Sequence, residues 1–132
     1  MKRAYVDTSV IVALHFGQTE ARRAARLMRD REQALSVVLL VPELPATLQR
    51  EGRALDEADH LLTRITLFIP SGSLRSECEE ALRAGALRGA DLWHVAAALA
   101  IAGTKRRRDL PFLTFDARQG EVAKKLGFPV PS

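Results

Sequence analysis

The chain has 132 residues, 47% hydrophobic and 27% charged, so it can bury one core and stay dissolved as a single domain over 1–132. Its one cysteine, Cys78, excludes an internal disulfide and a cysteine-built zinc site, and suits a reducing, cytoplasmic setting. A net charge of +4 and a pI near 9.8 favour polyanionic partners, and no apolar run approaches the ~20 residues needed to cross a membrane.

The start, MKRAYVD, carries the two cations of a secretory leader, but Asp7 interrupts it before an apolar stretch of leader length. Residues 4–6 read instead as a short buried strand that runs straight into Asp7, and 8–16 read as a helix. A second helix over 19–31 keeps Ala21, Ala24, Ala25 and Met28 on one side. It also carries Arg22, Arg23, Arg26, Arg29 and Arg31, a cluster that could steer a phosphate backbone or merely form a solvated face. A continuous apolar run, 35–40, predicts the second strand. Pro42 then suits a first helical position and puts Glu43 in the first turn of a helix over 42–50.

After Gly52 a helical pattern covers 54–64, a strand 67–69, and a helix 74–84 that contains Cys78. The segment GADLWHVAAALAIAG predicts a helix over 91–102 that stops at Gly103. It has almost no polar face, so its first-turn acid, Asp91, lies near the core. KRRR, 105–108, is a second basic patch. A strand over 112–115 ends on Asp116, a helix follows over 117–126, and 128–130 reads as a fifth strand. Strands alternating with helices predict an α/β three-layer sandwich on a mainly parallel sheet of about five strands. In such sheets, sites form beyond the carboxyl ends of the strands.

Asp7, Glu43, Asp91 and Asp116 all occupy strand-to-helix junctions or helix starts. Each alone also reads as a helix cap, which stabilises by about 0.5–2 kcal/mol. If they converge, their repulsion decides: two unit charges 4 Å apart repel by about 4 kcal/mol at an effective dielectric near 20. A divalent cation relieves that, and an all-oxygen donor set selects Mg²⁺, with Mn²⁺ able to substitute. Asp109 precedes its strand and so falls at the opposite end of the sheet.

AYVDTSVIVAL, VPELPATLQR, GADLWHVAAALA and LPFLTFD, in that order and with GFPV closing, resemble the PIN-domain ribonucleases, in particular VapC-type toxins of toxin–antitoxin pairs. The resemblance implies a Mg²⁺-dependent endoribonuclease that cuts transfer or ribosomal RNA with a metal-activated water. In it Asp7, Asp91 and Asp116 hold the metal, and Glu43 acts through water or on the attacking water. It also implies support from Ser9 and Thr114, a homodimer, and a small VapB-like antitoxin. Leu14, Phe16 and Leu48 could line the antitoxin's groove or belong to the core. Asp91 has no close acidic neighbour in sequence, which leaves one metal ion or two. His94 invites a general-base role, yet on an Ala-rich helix it reads as packed or partly exposed. Trp93 could stack on a base, pack in the core or meet a second copy. The alternative is a non-catalytic RNA-binding or signalling module whose acids only cap helices. An aspartyl-nucleophile phosphatase is disfavoured, because Ser9 stands where a second Asp is required.

Overall fold

A computed structural model describes residues 2–17 and 19–132. Four strands, β1 (Arg3–Val6), β2 (Gln33–Val37), β3 (Thr66–Phe68) and β4 (Phe112–Leu113), form one parallel sheet in the order β3-β2-β1-β4. The chain steps outward from β1 to β2 to β3, then returns to the other side of β1. The order therefore reverses between β1 and β4, where open α/β sheets leave a crevice.

Seven α-helices join the strands: α1 (Thr8–Phe16), α2 (Ala21–Met28), α3 (Leu40–Arg50), α4 (Glu57–Leu62), α5 (Arg75–Ala84), α6 (Gly89–Ala102) and α7 (Ala117–Lys125). Alternating strand residues divide the core between the two faces of the sheet. Ala4, Val6, Ala34 and Leu113 pack with α1 to α4, whereas Tyr5, Leu35, Val37 and Phe112 pack with α5 to α7. The result is the expected three-layer sandwich, and it places Tyr5 on the α6 side. Leu48 is core, with Leu14 and Phe16 packed against it half-buried; Trp93, on α6, likewise leans half-buried on the core.

The fifth strand does not form. Residues 128–130 run beside β4, but Pro129 has no N–H to give a ladder. One bond remains, from Phe112 N to the Pro129 carbonyl at 2.8 Å, while Phe128 is anchored in the core. The second strand ends at Val37, not at 40, because α3 begins at Leu40. Buried strand and buried helix look alike in an apolar run. Pro42 is consequently the third helical residue, still inside the turn that lacks N–H acceptors, and Glu43 stays in the first turn. The strand expected over 112–115 stops at Leu113, since the Phe115 N–H is diverted to the Ser9 hydroxyl at 3.1 Å.

Candidate active site

Asp7 leaves β1 and caps α1. Its Oδ2 accepts from Ser9 Oγ at 2.7 Å, from the Ser9 N–H at 3.4 Å and from Thr114 Oγ1 at 3.0 Å. Asp116 leaves β4 and caps α7, its Oδ1 accepting from the Gln119 N–H at 2.8 Å. Thr114 ties the two junctions together. Its hydroxyl faces Asp7 Oδ2, accepts the Asp116 N–H at 3.0 Å, and lies 2.7 Å from Gln119 Oε1. Gln119, fully buried, reaches on to the Asp91 carbonyl with its amide nitrogen at 3.2 Å. Ser9 and Thr114 thus brace the first and last acids across the gap between β1 and β4.

Glu43 enters from α3. Two donors converge on its Oε1: Thr8 Oγ1 at 2.8 Å and His94 Nε2 at 2.8 Å. Burial alone would push the Glu43 carboxyl up, but the hydrogen bonds from His94 and the Thr8 hydroxyl outweigh it and hold it below the usual range. His94 Nε2 also stands 3.8 Å from Asp7 Oδ1. Three of the acids are therefore held by one oxygen each, Asp7 by Oδ2, Asp116 by Oδ1 and Glu43 by Oε1. Among the described residues no hydrogen bond falls on the other oxygen of any of them.

Asp91 lies in the first turn of α6, which begins at Gly89, whose φ of 58° would strain any side chain. It is half-buried, and its carboxyl is pushed above the usual range first by burial, then by the charges of Asp116, Asp7 and Glu43. Asp91 thus lies within the field of the other three carboxylates. The four are not drawn into a finished cage: among the described residues, no group of three or more His, Cys, Asp or Glu side chains is arranged to hold a metal ion. In kind the donors fit a hard divalent cation, since all are oxygens, three present an uncommitted one, and their crowding is what such a cation relieves.

Asp91 and Asp116 open into a hollow of about 460 Å³ that is also lined by Leu87, Arg88 and Arg118. Neither arginine belongs to the two basic clusters visible in the sequence. In those clusters the roles divide. Arg23 stacks over the Phe115 ring at 4.7 Å, and Arg31 bonds the Leu27 carbonyl at 3.1 Å. Arg107 is structural, holding Glu80 at 2.7 Å and the Leu126 carbonyl at 3.0 Å. Asp109 is exposed, ahead of β4 and apart from this set.

Sequence reasoning undervalued three side chains. His94 is fully buried and central, and Tyr5 and Thr8 are its partners. The available signals were positional: His94 lies three residues after Asp91 on one helix, hence on the same face, and Thr8 adjoins Asp7.

Against this geometry, the sequence profile described as the PIN domain matches residues 4–125. The chain belongs to the PIN-domain family. No curated protein and no solved structure matches it significantly. PIN domains are generally metal-dependent nucleases that act on RNA, and the match runs from Ala4 in β1 to the end of α7. No helix among the described residues is long and apolar enough to cross a membrane.

Proposed function

We propose that this PIN domain is a Mg²⁺-dependent endoribonuclease acting in the cytoplasm as the toxin of a type II toxin–antitoxin pair. The observation that carries the proposal is how the acids are linked: Thr114 joins Asp7 to the Asp116 backbone, His94 Nε2 stands 2.8 Å from Glu43 and 3.8 Å from Asp7, and Asp91 and Asp116 line one hollow. Helix capping explains Asp7 and Asp116 singly, but it does not explain why four acids share one crevice.

Asp7, Asp91 and Asp116 would hold Mg²⁺ or Mn²⁺, and Glu43 would act through water. When bound, the ion supplies Lewis-acid activation of a water and offsets charge on the scissile phosphate. The chain's own residues do the rest. Ser9 and Thr114 fix Asp7 by Oδ2, which leaves Oδ1, 3.8 Å from His94 Nε2, without a hydrogen bond among the described residues. Arg88 and Arg118, on the rim of the hollow, take the phosphates that flank the scissile one, since the acids themselves repel the backbone. Transfer or ribosomal RNA suits this arrangement, because contacts of this kind recognise shape and backbone.

The antitoxin would dock on the other face. A cavity of about 160 Å³ between α1, α2 and α4 is lined by Ile11, Leu14, Met28, Leu61 and Ile65, and rimmed by His15, His60 and Arg64. It accommodates an apolar side chain from a docked amphipathic segment. A homodimer completes the proposed assembly.

A second reading, a non-catalytic RNA-binding module, is favoured by the absence of a finished ligand cluster among the described residues and by the engagement of Glu43 with His94. Metal titration separates the two. The nuclease should gain thermal stability with Mn²⁺ or Mg²⁺ and cut RNA, and Asp7→Asn should lose both. A wild-type protein that binds RNA and never cuts it with either ion is the module. For the toxin role, induction in a host should arrest growth, and Asp116→Asn should not.

A further inference from the structure

Tyr5 and His94 are fully buried ionisable side chains that the carboxylate chemistry leaves unused. They lie on opposite sides of the layer between β1 and α6, with the Tyr5 hydroxyl 2.7 Å from His94 Nδ1. Tyr5 is not free to move. Its ring stacks on Phe112, its ladder neighbour in β4, with centroids 5.1 Å apart and planes 11° from parallel. The His94 ring meets the Tyr5 ring edge-on at 5.8 Å.

Proton bookkeeping then decides which nitrogen of His94 is protonated. Glu43 Oε1 is a carboxylate oxygen and can only accept, so its 2.8 Å contact with His94 Nε2 calls for a proton on that nitrogen. The Tyr5 phenol can donate, and His94 Nδ1, 2.7 Å away, is placed to take its proton. A phenol that donates to Nδ1 requires Nδ1 to be bare, so the ring's own proton sits on Nε2. Nε2–H points at Glu43 Oε1, 2.8 Å away, and Thr8 Oγ1 donates to the same oxygen. Both donors occupy Oε1, and among the described residues no hydrogen bond falls on Oε2.

We propose that Tyr5 and His94 form a tautomer lock: the Tyr5 hydroxyl holds His94 as its Nε2–H form, and His94 then fixes which oxygen of Glu43 is presented to the substrate side. His94 is a positioning residue, not a general base, because its one bare nitrogen is consumed by Tyr5 inside the core. The proposal rests on the nuclease reading for what Glu43 does, but not for the lock itself.

The test has two arms on the full chain. Long-range ¹⁵N–¹H spectra of the histidine-labelled protein should show His94 in a single Nε2–H form, and Tyr5→Phe, which keeps the ring and removes the hydroxyl, should admit the second form. In RNA cleavage, His94→Leu should lower kcat by roughly 10- to 100-fold with KM little changed, as loss of an outer partner of a site carboxylate does. His94→Gln, whose amide still donates, should recover most of that. An Nδ1–H ring in the wild type overturns the lock. A Tyr5→Phe protein still wholly Nε2–H removes Tyr5 from it. His94→Leu cutting at the wild-type rate, while Asp7→Asn does not cut, overturns the positioning role and leaves the nuclease standing. If the wild type cuts no RNA, the nuclease reading falls and the spectra alone decide the lock, as they do if His94→Leu does not fold.

Discussion

Replacing Thr114 by Val keeps the side chain's shape and removes one oxygen from the seam between β1 and β4. Three polar distances end on that oxygen: Asp7 Oδ2 at 3.0 Å, Gln119 Oε1 at 2.7 Å and the Asp116 N–H at 3.0 Å. A hydroxyl has one proton, so it serves Asp7 or Gln119 at any moment, not both. The loss is thus one donated and one accepted bond. A bond to a charged acceptor contributes ~1.5–3 kcal/mol, and a buried group left unpaired costs ~1–3 kcal/mol. Asp7 keeps Ser9 Oγ at 2.7 Å, which softens the loss at that end. Thr114→Val should therefore destabilise the protein by ~2–4 kcal/mol. For a domain of this size that lowers Tm by on the order of 10 °C. Urea unfolding should show a lower midpoint at unchanged slope. Thr114→Ser, which keeps the hydroxyl, should stay near wild type. RNA cleavage should fall in Thr114→Val, because both flanking acids lose their brace. A Val variant within ~0.5 kcal/mol of wild type would refute the idea that this hydroxyl joins the two junctions.

Asp91 gives a signed pH dependence. Its folded carboxyl is raised above the ordinary 3.8, so between that value and the raised one the folded chain binds more protons than the unfolded chain. Without metal, its contribution to stability is present below 3.8 and is lost as pH rises through the raised value. Asp91→Asn should then be more stable than wild type at neutral pH, with a flatter pH profile, and should no longer be stabilised by Mn²⁺. Urea midpoints measured across the acid range check this, and a destabilised Asn variant contradicts it. At Gly85, a Cβ would stand 2.7 Å from Val122 Cγ2 in buried α7, so Gly85→Ala should destabilise by about 1–3 kcal/mol in the same measurement, through overpacking and not backbone strain.

Much of the fold is legible in the sequence because its apolar runs are continuous and its helices carry their own punctuation. The helix over 8–16 was expected with the bounds it has, and the family resemblance led to the domain that the profile matches. What failed was local and has physical causes. Residues 38–40 are apolar enough for either a strand or a helix, and Pro129 silences the fifth strand. At the site, the acids and the two bracing hydroxyls announce themselves by position, at strand ends and helix starts. His94 does not. On a helix of alanines, its burial can be guessed, but its partner cannot, because the partner depends on which face of β1 Tyr5 takes and on how α6 lies across it. Arg88 and Arg118 were passed over for a related reason: isolated arginines become a rim only when the loop before α6 and the start of α7 meet.

The segment over 128–130 is short and irregular, yet it closes a clasp on β4. That strand has only two residues, gripped by β1 along one side and by the Pro129 carbonyl along the other. Thr114 and Asp116 hang directly from its end. The accuracy of the crevice is thus underwritten from behind, by a stretch that, among the described residues, makes no hydrogen bond to its acids, and loosening that stretch would blur the crevice without altering a single residue in it.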